Sequence, residues 1–330
     1  MKITVAQSGK GDFLTVGEAF AYIDRLEDKE NRIFVQIEDG VYREKPVLNR
    51  SHVYITGNGK NATKIVYDDG AFKKHEDGKP FSTFQTPTLT ISGDDCHLAR
   101  LTIENDAGFG RVAGQAVALY ADGDRLIVED CALLGSQDTL FVGPMPPTNF
   151  LNCSFTAPKE LAPRKAVRQL YKKCFIRGDV DFIFGGGCVW FEECEIFSQD
   201  AKKEGTAPDK CRGYITAAST PRLQPYGFVF YRCCLTGNCP EHTVYLGRPW
   251  RNYAKTAFIE CAMGAHIKPE GWHDWNKEDA HHTVSYEEYY CTGPGADRGG
   301  RAGFSHELTE TYKKEQVLGN WGCFDAGFGD

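Results

Sequence analysis

The sequence predicts an all-β chain folded as a right-handed parallel β-helix, and a repeat carries most of that prediction. Six segments share one pattern: an apolar residue, two variable residues, a cysteine, one variable residue and a second apolar residue. Their cysteines are Cys131, Cys153, Cys174, Cys194, Cys233 and Cys261. The first three spacings are 22, 21 and 20 residues. A fixed period near 20 residues is typical of a solenoid in which each turn is one structural unit.

The segments between these cysteines support the same fold. They are short, rich in β-formers and bounded by Gly, Asn or Asp, and almost no helical periodicity separates them. Parallel strands without crossover helices exclude a doubly wound α/β sheet. Because successive coils would stack at the strand spacing of roughly 4.8 Å, the cysteines should form an internal ladder.

Both ends of such a coil need a cap, because terminal turns expose their core and their strand edges. An N-terminal helix is predicted within residues 12–26, with Thr15 and Glu18 forming a capping box. Its apolar face consists of Val16, Ala19, Phe20, Ile23 and Leu26. Residues 305–310 are expected to start a short helix near the other end. Without a Pro/Ser-rich linker, residues 1–330 are predicted to form one domain with long loops at 70–88, 141–168 and 198–212.

Composition narrows the classes of partner. The net charge of −7 and the lack of long Lys/Arg runs argue against nucleic acid, and a polyanionic partner would need a local basic cleft. No apolar stretch is long enough for a membrane helix or a signal peptide, which predicts a cytoplasmic enzyme or, alternatively, a secreted mature form. The 13 cysteines lack Cys-x-x-Cys or Cys/His zinc spacing, so we expect free thiols and no metal site. A monomer is expected.

Two aspartates and an arginine form the predicted catalytic centre. Asp138 and Asp181 lie 43 positions apart, about two predicted coils, so both can face one side of the β-helix. Two neighbouring carboxylates cannot both stay charged cheaply, so one should be ionised, as nucleophile or base, while the other carries a proton. Arg248 is expected to pair with one of them, lower its pKa and fix its orientation.

Two amides and several aromatic rings complete the predicted site. Gln115 and Gln137 supply uncharged donors, as required to stabilise an oxyanion that forms only when a carbonyl is attacked. Sugar rings stack on aromatic faces, and such rings flank the arginine and the acids; they are Tyr245, Trp250, Phe141, Phe182 and Phe184. The set indicates acyl chemistry on a saccharide, since two acids alone would suffice for glycoside cleavage and would leave the amides unexplained.

Five segments in this order closely resemble the signature blocks of the pectin methylesterases. They are GVYRE at 40–44, QAVAL at 115–119, GSQDTL at 135–140, GDVDFIFG at 178–185 and YLGRPW at 245–250. The resemblance implies a right-handed parallel β-helix that hydrolyses the C6 methyl ester of homogalacturonan to pectate and methanol, without a metal or organic cofactor. One departure from the family pattern is a longer spacing between the two acidic blocks, so residues 141–165 are predicted to be an enlarged loop near the cleft.

The resemblance also implies a role for each residue. Asp181 matches the nucleophile that forms an acyl-enzyme, and Asp138 matches the acid that protonates the leaving methoxide and then activates water. Gln115 and Gln137 match the oxyanion site, and Arg248 matches the residue that holds the nucleophile. The positions that match substrate-contacting aromatics are Phe184, Tyr245 and Trp250.

Three other functions remain open from the sequence. The chain could be an esterase for a thioester or another uronate ester. It could be a polygalacturonase or lyase, since the β-helix also carries enzymes that cut the pectin chain. A pectin-binding module without activity is the third, and the intact set of acids and amides argues against it.

Overall fold

A computed structural model describes residues 1–29, 31–146, 164–201 and 210–319. The helices are α1 Val16–Arg25, α2 Gly110–Ala113 and α3 Lys314–Leu318, with 3₁₀ turns at Thr83–Gln85, Glu278–His282 and Pro294–Ala296. The strands are β1 Lys2–Val5, β2 Ile33–Ile37, β3 Gly40–Arg43, β4 Val47–Leu48, β5 Val53–Thr56, β6 Thr63–Tyr67, β7 Leu89–Ile91, β8 His97–Ala99, β9 Thr102–Asn105, β10 Leu119–Ala121, β11 Leu126–Glu129, β12 Ala132–Leu134, β13 Leu140–Val142, β14 Arg168–Lys172, β15 Phe175–Gly178, β16 Val180–Gly185, β17 Cys188–Glu192, β18 Glu195–Ser198, β19 Gly213–Ala218, β20 Phe228–Tyr231, β21 Cys234–Gly237, β22 Val244–Pro249, β23 Lys255–Ile259, β24 Ala262–Met263, β25 Ser285–Tyr289 and β26 Ser305–Glu307.

The strands form three parallel sheets that wind as a right-handed β-helix, which confirms the predicted fold. Sheet A has the order β1-β2-β5-β8-β11-β14-β17-β20-β23-β25-β26, sheet B the order β24-β21-β18-β15-β12-β9-β6-β3, and sheet C the order β22-β19-β16-β13-β10-β7-β4. One coil contributes one strand to each sheet. Identical side chains therefore stack inside the helix, as the rings of Phe191, Phe230 and Phe258 do at 4.4 and 4.6 Å between centroids.

The internal cysteine ladder is present, with a different membership from the predicted one. Each thiol donates to a carbonyl of the preceding coil, as Cys174 does to Val128 at 3.3 Å. The rungs in the described residues are Cys96, Cys131, Cys174, Cys194, Cys233, Cys261 and Cys291. The residue before each of them has a left-handed backbone, with φ between 46 and 56°. The repeat thus marks the corner from sheet A to sheet B, where the chain turns through one left-handed residue.

The prediction of a rung at Cys153 falls outside the described residues, and the coil count around it was wrong. β11 pairs directly with β14, and β12 pairs directly with β15. Residues 131–174 are therefore one coil with an insertion, and not two coils of about 21 residues.

The two caps agree with the sequence in part. Helix α1 begins after Thr15, whose hydroxyl accepts from the Glu18 backbone N–H at 3.1 Å. A capping carboxylate comes from Glu44 and not from Glu18: it accepts from the backbone N–H groups of Val16 and Gly17 at 2.8 and 2.7 Å. The helix predicted from Ser305 was wrong. That segment forms β26, because pairing with β25 satisfies the open edge of sheet A, and the helix follows at α3.

One buried apolar cluster runs along the axis from Ile3 to Tyr286. Such a core is compatible with one domain over residues 1–330, which stays a prediction. Within the described ranges, no helix has both the length and the apolar character that a membrane span requires.

Candidate active site

The predicted catalytic residues meet on the outer side of sheet C. Asp138 precedes β13, Asp181 is the second residue of β16, and Arg248 lies in β22. Because Leu140 pairs with Ile183, the two aspartates occupy adjacent coils. The expectation that two coils separate them was wrong, since the insertion accounts for the extra residues between them.

Both aspartates have a left-handed backbone that turns their side chains out of the regular pleat. Their φ values are 65° for Asp138 and 51° for Asp181. At Asp181 the pairing of β16 with β19 shifts register between Val180 and Ile183. Such bulges re-aim a side chain beside active sites, and Asp tolerates the left-handed region better than most residues.

Arg248 holds Asp181 through two parallel hydrogen bonds. Its Nε donates to Oδ1 at 2.8 Å and its Nη2 donates to Oδ2 at 2.6 Å. The two side chains are only 15% and 8% exposed. Burial raises the pKa of Asp181, and the Arg248 guanidinium counteracts that rise. The pairing fixes both carboxylate oxygens and favours the ionised form.

Two aromatic rings enclose the guanidinium from either side. The Cζ atom of Arg248 lies 3.8 Å from the ring centroid of Tyr214 and 3.7 Å from that of Trp275. A planar guanidinium stacks favourably on such faces. The rings thereby restrict Arg248 to the plane in which both of its hydrogen bonds to Asp181 are made.

Asp138 lies in a different electrostatic environment. Burial raises its pKa well above the ordinary value, and the neighbouring Asp181 carboxylate raises it further. Burial raises the pKa of Asp179 to about 6, and the Asp179 carboxylate in turn raises the pKa of Asp138. Asp138 is therefore the proton-bearing member of the pair, and Asp181 is the more acidic one.

Gln115 and Gln137 lie on adjacent coils beside the aspartates. The Ala116 N–H donates to the Gln137 carbonyl at 3.0 Å, which sets the two coils in register. Both glutamine side chains are half-buried. Within the described ranges, neither side-chain amide has a hydrogen-bond partner in the protein, so both are available to a ligand.

The predicted aromatic residues divide into a buried group and a half-buried group. Phe141 and Phe184 are 0% and 3% exposed and pack against each other with 5.1 Å between ring centroids. A sugar ring could contact Phe141 only after its neighbours moved. Tyr245 and Trp250 are half-buried: Tyr245 stacks on Tyr214 at 5.3 Å, and Trp250 contacts Phe184 at 5.8 Å.

Sequence reasoning missed three residues of this site. Tyr214 and Trp275 enclose Arg248, and the Lys277 ammonium donates to the carbonyls of Pro249 and Trp250 at 2.7 and 3.0 Å. Burial, together with the nearby cations Arg251 and Arg248, lowers the pKa of Lys277 to about 8. The segment from 272 to 277 has no strand periodicity, so its only usable signal was its two tryptophans.

The acidic side chains of this site are not grouped as metal ligands are. In the four described ranges, no group of three His, Cys, Asp or Glu side chains is placed to hold a metal ion. The chemistry available from the described side chains is nucleophilic attack by a carboxylate, proton transfer by a carboxyl group and hydrogen bonding by two amides.

Comparison with known proteins gives one consistent family. A family model described as Pectinesterase matches residues 2–145 and 147–318. Pectinesterase QRT1 of Arabidopsis thaliana is 34% identical over 314 residues, which cover 93% of this chain and 73% of that protein. A pectinesterase/pectinesterase inhibitor of the same plant is 33% identical over 340 residues, or 97% of this chain. The chain spans only 50% of that protein's length.

Solved structures agree with the sequence relatives. A pectin methylesterase crystallised with a hexasaccharide matches with a TM-score of 0.78 and 28% identity, covering 97% of each chain. Pectin methylesterase PemA from Erwinia chrysanthemi matches with a TM-score of 0.78 and 27% identity, again covering 97% of each chain.

Proposed function

Because this chain belongs to the pectinesterase family, we propose that it hydrolyses the methyl esters of pectin to a free carboxylate and methanol. The observation that carries this proposal is the acid pair on β13 and β16: an ionised Asp181 held by Arg248 beside a protonated Asp138. A nucleophile and a proton donor in adjacent coils are the minimum that ester cleavage by a carboxylate requires.

The first half of the proposed reaction forms an acyl-enzyme. An Asp181 oxygen attacks the ester carbonyl, and the carbonyl π electrons move onto oxygen. The amides of Gln115 and Gln137 donate hydrogen bonds to that oxyanion. As the tetrahedral species collapses, the bond to the methoxy oxygen breaks, and Asp138 gives its proton to that oxygen. Methanol leaves, and Asp181 is joined to the galacturonate carbonyl as an anhydride.

The second half returns the enzyme to its starting state. Asp138, now a carboxylate, takes a proton from a water molecule as the water oxygen attacks the galacturonate carbonyl. The anhydride bond breaks, which releases the galacturonate carboxyl group and restores the Asp181 carboxylate beside Arg248. Asp138 is again protonated, now with a proton from water in place of the one that left with methanol, so the cycle needs no metal or organic cofactor.

Substrate binding is proposed at the half-buried aromatics of the same face. Tyr245 stacks on Tyr214, the ring that lies against the Arg248 guanidinium, and Trp250 contacts Phe184. Sugar rings stack on such faces through their C–H surfaces. A second part of the predicted cleft, the enlarged loop at 141–165, falls mostly outside the described residues.

Compartment and oligomeric state remain predictions. The described cysteines are free thiols, and these include the exposed Cys211 and Cys234. Exposed free thiols are more common in reducing compartments than in oxidising ones. These thiols are compatible with the predicted cytoplasmic location, whereas membership of the pectinesterase family is consistent with the secreted alternative, so both stay predictions. The expected monomer has no further support.

The reaction class is tested by following three products from highly methylated pectin. We expect methanol release, with no new reducing ends and no unsaturated uronate. New reducing ends or loss of viscosity without methanol would instead indicate a polygalacturonase or lyase. Cleavage of acyl thioesters in preference to pectin would point to a different esterase on this scaffold.

Replacing Gln115 tests the proposed oxyanion site. We expect Gln115→Ala to lower kcat by about 10²- to 10³-fold with little change in KM, the usual cost of losing one oxyanion donor. Gln36→Ala is the matched control, because Gln36 is a half-buried glutamine on sheet A that bonds Asn58 and lies outside the site. Initial rates of methanol release at several pectin concentrations give kcat and KM for both variants. A loss of less than tenfold, or an effect on KM alone, would contradict the assigned role.

A further inference from the structure

Lys277 is a half-buried cation without a counter-ion in the described part of the chain. Its ammonium donates to the carbonyls of Pro249 and Trp250 at 2.7 and 3.0 Å, and it lies 4.9 Å from the ring centroid of Trp275. No carboxylate oxygen of the described residues lies within 4 Å of it. An ammonium has three donors, so one remains for a ligand. Lysines are seldom buried unless they are paired.

The charges closest to Lys277 in the sequence do not neutralise it. Glu278 and Asp279 directly follow Lys277, but both are exposed, and within the described ranges neither forms an ion pair with it. The two oxygens of Asp274 are already engaged: Oδ1 accepts from the Asn276 N–H at 2.8 Å, and Oδ2 pairs with His281 at 3.1 Å. Asp181 attracts Lys277 from a distance, but its two oxygens are held by Arg248.

A second cation strengthens the positive charge at this point. Arg251 lies close enough to lower the pKa of Lys277. Its Nη1 donates to the Trp250 carbonyl at 3.4 Å, and its guanidinium carbon lies 5.1 Å from the Trp250 ring. The protein as a whole carries a net charge of −7. A cationic patch beside the catalytic pair of an acidic protein is the local basic cleft that a polyanionic substrate requires.

The patch is close to the reacting centre. The Trp275 ring that lies 3.7 Å from Arg248 Cζ also lies 4.9 Å from Lys277 Nζ, so both cations contact one indole. Arg248 is committed to the nucleophile. Lys277 can therefore contact a negatively charged group on the same polysaccharide, on a unit next to the sugar whose ester is attacked.

We propose, on the premise of the pectin methylesterase function above, that Lys277 binds the free carboxylate of a galacturonate unit adjoining the methylated unit at Asp181. Each turnover creates such a carboxylate. The enzyme would then favour esters beside an already demethylated unit and would produce runs of free galacturonate. Lys277 acts here as a specificity-determining residue, and the chemical step remains with the acid pair.

A purely structural role for Lys277 makes a different prediction. The ammonium also ties the backbone at Pro249 and Trp250, so its loss could displace Trp250 for every substrate alike. Lys255 provides a matched control, because its ammonium likewise donates to two consecutive carbonyls, those of Gln224 and Pro225 at 2.8 and 3.1 Å. Lys255 lies on β23 in sheet A, away from the acid pair.

The test compares two oligogalacturonides of equal length, one fully methylated and one with alternate units demethylated. Methanol release per ester is measured for the wild type, Lys277→Met, Lys277→Arg and Lys255→Met. We expect the wild type to have the higher kcat/KM on the partly demethylated substrate. Lys277→Met should lower that value, mainly through KM, about tenfold more than the value on the fully methylated substrate. Lys277→Arg should restore most of the preference, and Lys255→Met should retain it.

Equal losses on both substrates in Lys277→Met would overturn the proposal and leave only the backbone role. So would a wild type without preference for the partly demethylated substrate, or an unchanged preference in Lys277→Met. These outcomes are distinct from failure of the esterase function, in which no variant, nor the wild type, releases methanol from either substrate.

Discussion

Asp181→Asn is expected to lower kcat for methanol release on the order of 10⁴-fold or more, the scale seen when a covalent nucleophile is removed. The neutral amide cannot attack the ester carbonyl, although it keeps the shape of the carboxylate. It also leaves the guanidinium of Arg248 buried without its charge partner. Removing one member of a buried ion pair costs on the order of 3 kcal/mol, so the melting temperature should fall as well.

A matched ion pair elsewhere in the fold separates these two effects. Asp95 also has a left-handed backbone, with φ of 56°, and it accepts two hydrogen bonds from Arg125. Asp95→Asn should therefore lower the melting temperature in the same direction, with methanol release retained. If Asp181→Asn kept near-normal kcat, or if Asp95→Asn removed activity to the same extent, Asp181 would not be the nucleophile.

Asp138→Asn is expected to lose activity and gain stability, which is the opposite stability effect from Asp181→Asn. The amide cannot donate or accept the proton that the methoxide and the water require, and proton transfer of this kind contributes up to about 10⁴-fold. Asparagine also removes a carboxyl group that is costly to ionise at its buried position. Steady-state methanol release and thermal melts at pH 7 measure the two effects.

The pH dependence of the stability gain follows from the raised pKa of Asp138. In the unfolded chain this group ionises near its ordinary pKa of 3.8, whereas in the folded chain it ionises only at higher pH. Above pH 3.8 the unfolded state therefore binds fewer protons than the folded state, and stability falls as pH rises toward the folded pKa. The melting temperature of Asp138→Asn should match the wild type near pH 3 and exceed it increasingly above pH 4. A variant less stable than the wild type at pH 7 would contradict a raised pKa for Asp138 in the folded chain.

Much of the fold could be predicted because the cysteine repeat marks the turn between two sheets in each coil. A ladder cysteine follows one left-handed residue at each turn from sheet A to sheet B, so the spacing of the cysteines follows the coils. The same reasoning failed at Cys153, since a local pattern does not show whether a segment pairs with its neighbours. Only the direct pairing of β11 with β14 shows that residues 131–174 are a single coil.

The candidate site divides in a similar way. The short segments around Asp138, Asp181 and Arg248 stand out in the sequence because charged and amide side chains are set among apolar ones. The groups that orient Arg248 do not stand out. Tyr214 comes from an ordinary strand, and Trp275 comes from a loop without periodicity; they meet only because β19, β22 and the chain after β24 lie side by side.

A burst experiment on Asp138→Asn tests most directly whether Asp181 forms a covalent acyl-enzyme. An ester with a more acidic leaving alcohol, such as the trifluoroethyl ester of an oligogalacturonide, reduces the need for an acid in the first step, while deacylation still lacks its base. We expect rapid release of one equivalent of alcohol per active site. We also expect an acyl mass on the peptide that contains Asp181, and neither signal in the double variant Asp138→Asn/Asp181→Asn. Steady release without a burst, with no mass added at Asp181, would contradict a covalent acyl-enzyme and would make water the direct attacking group.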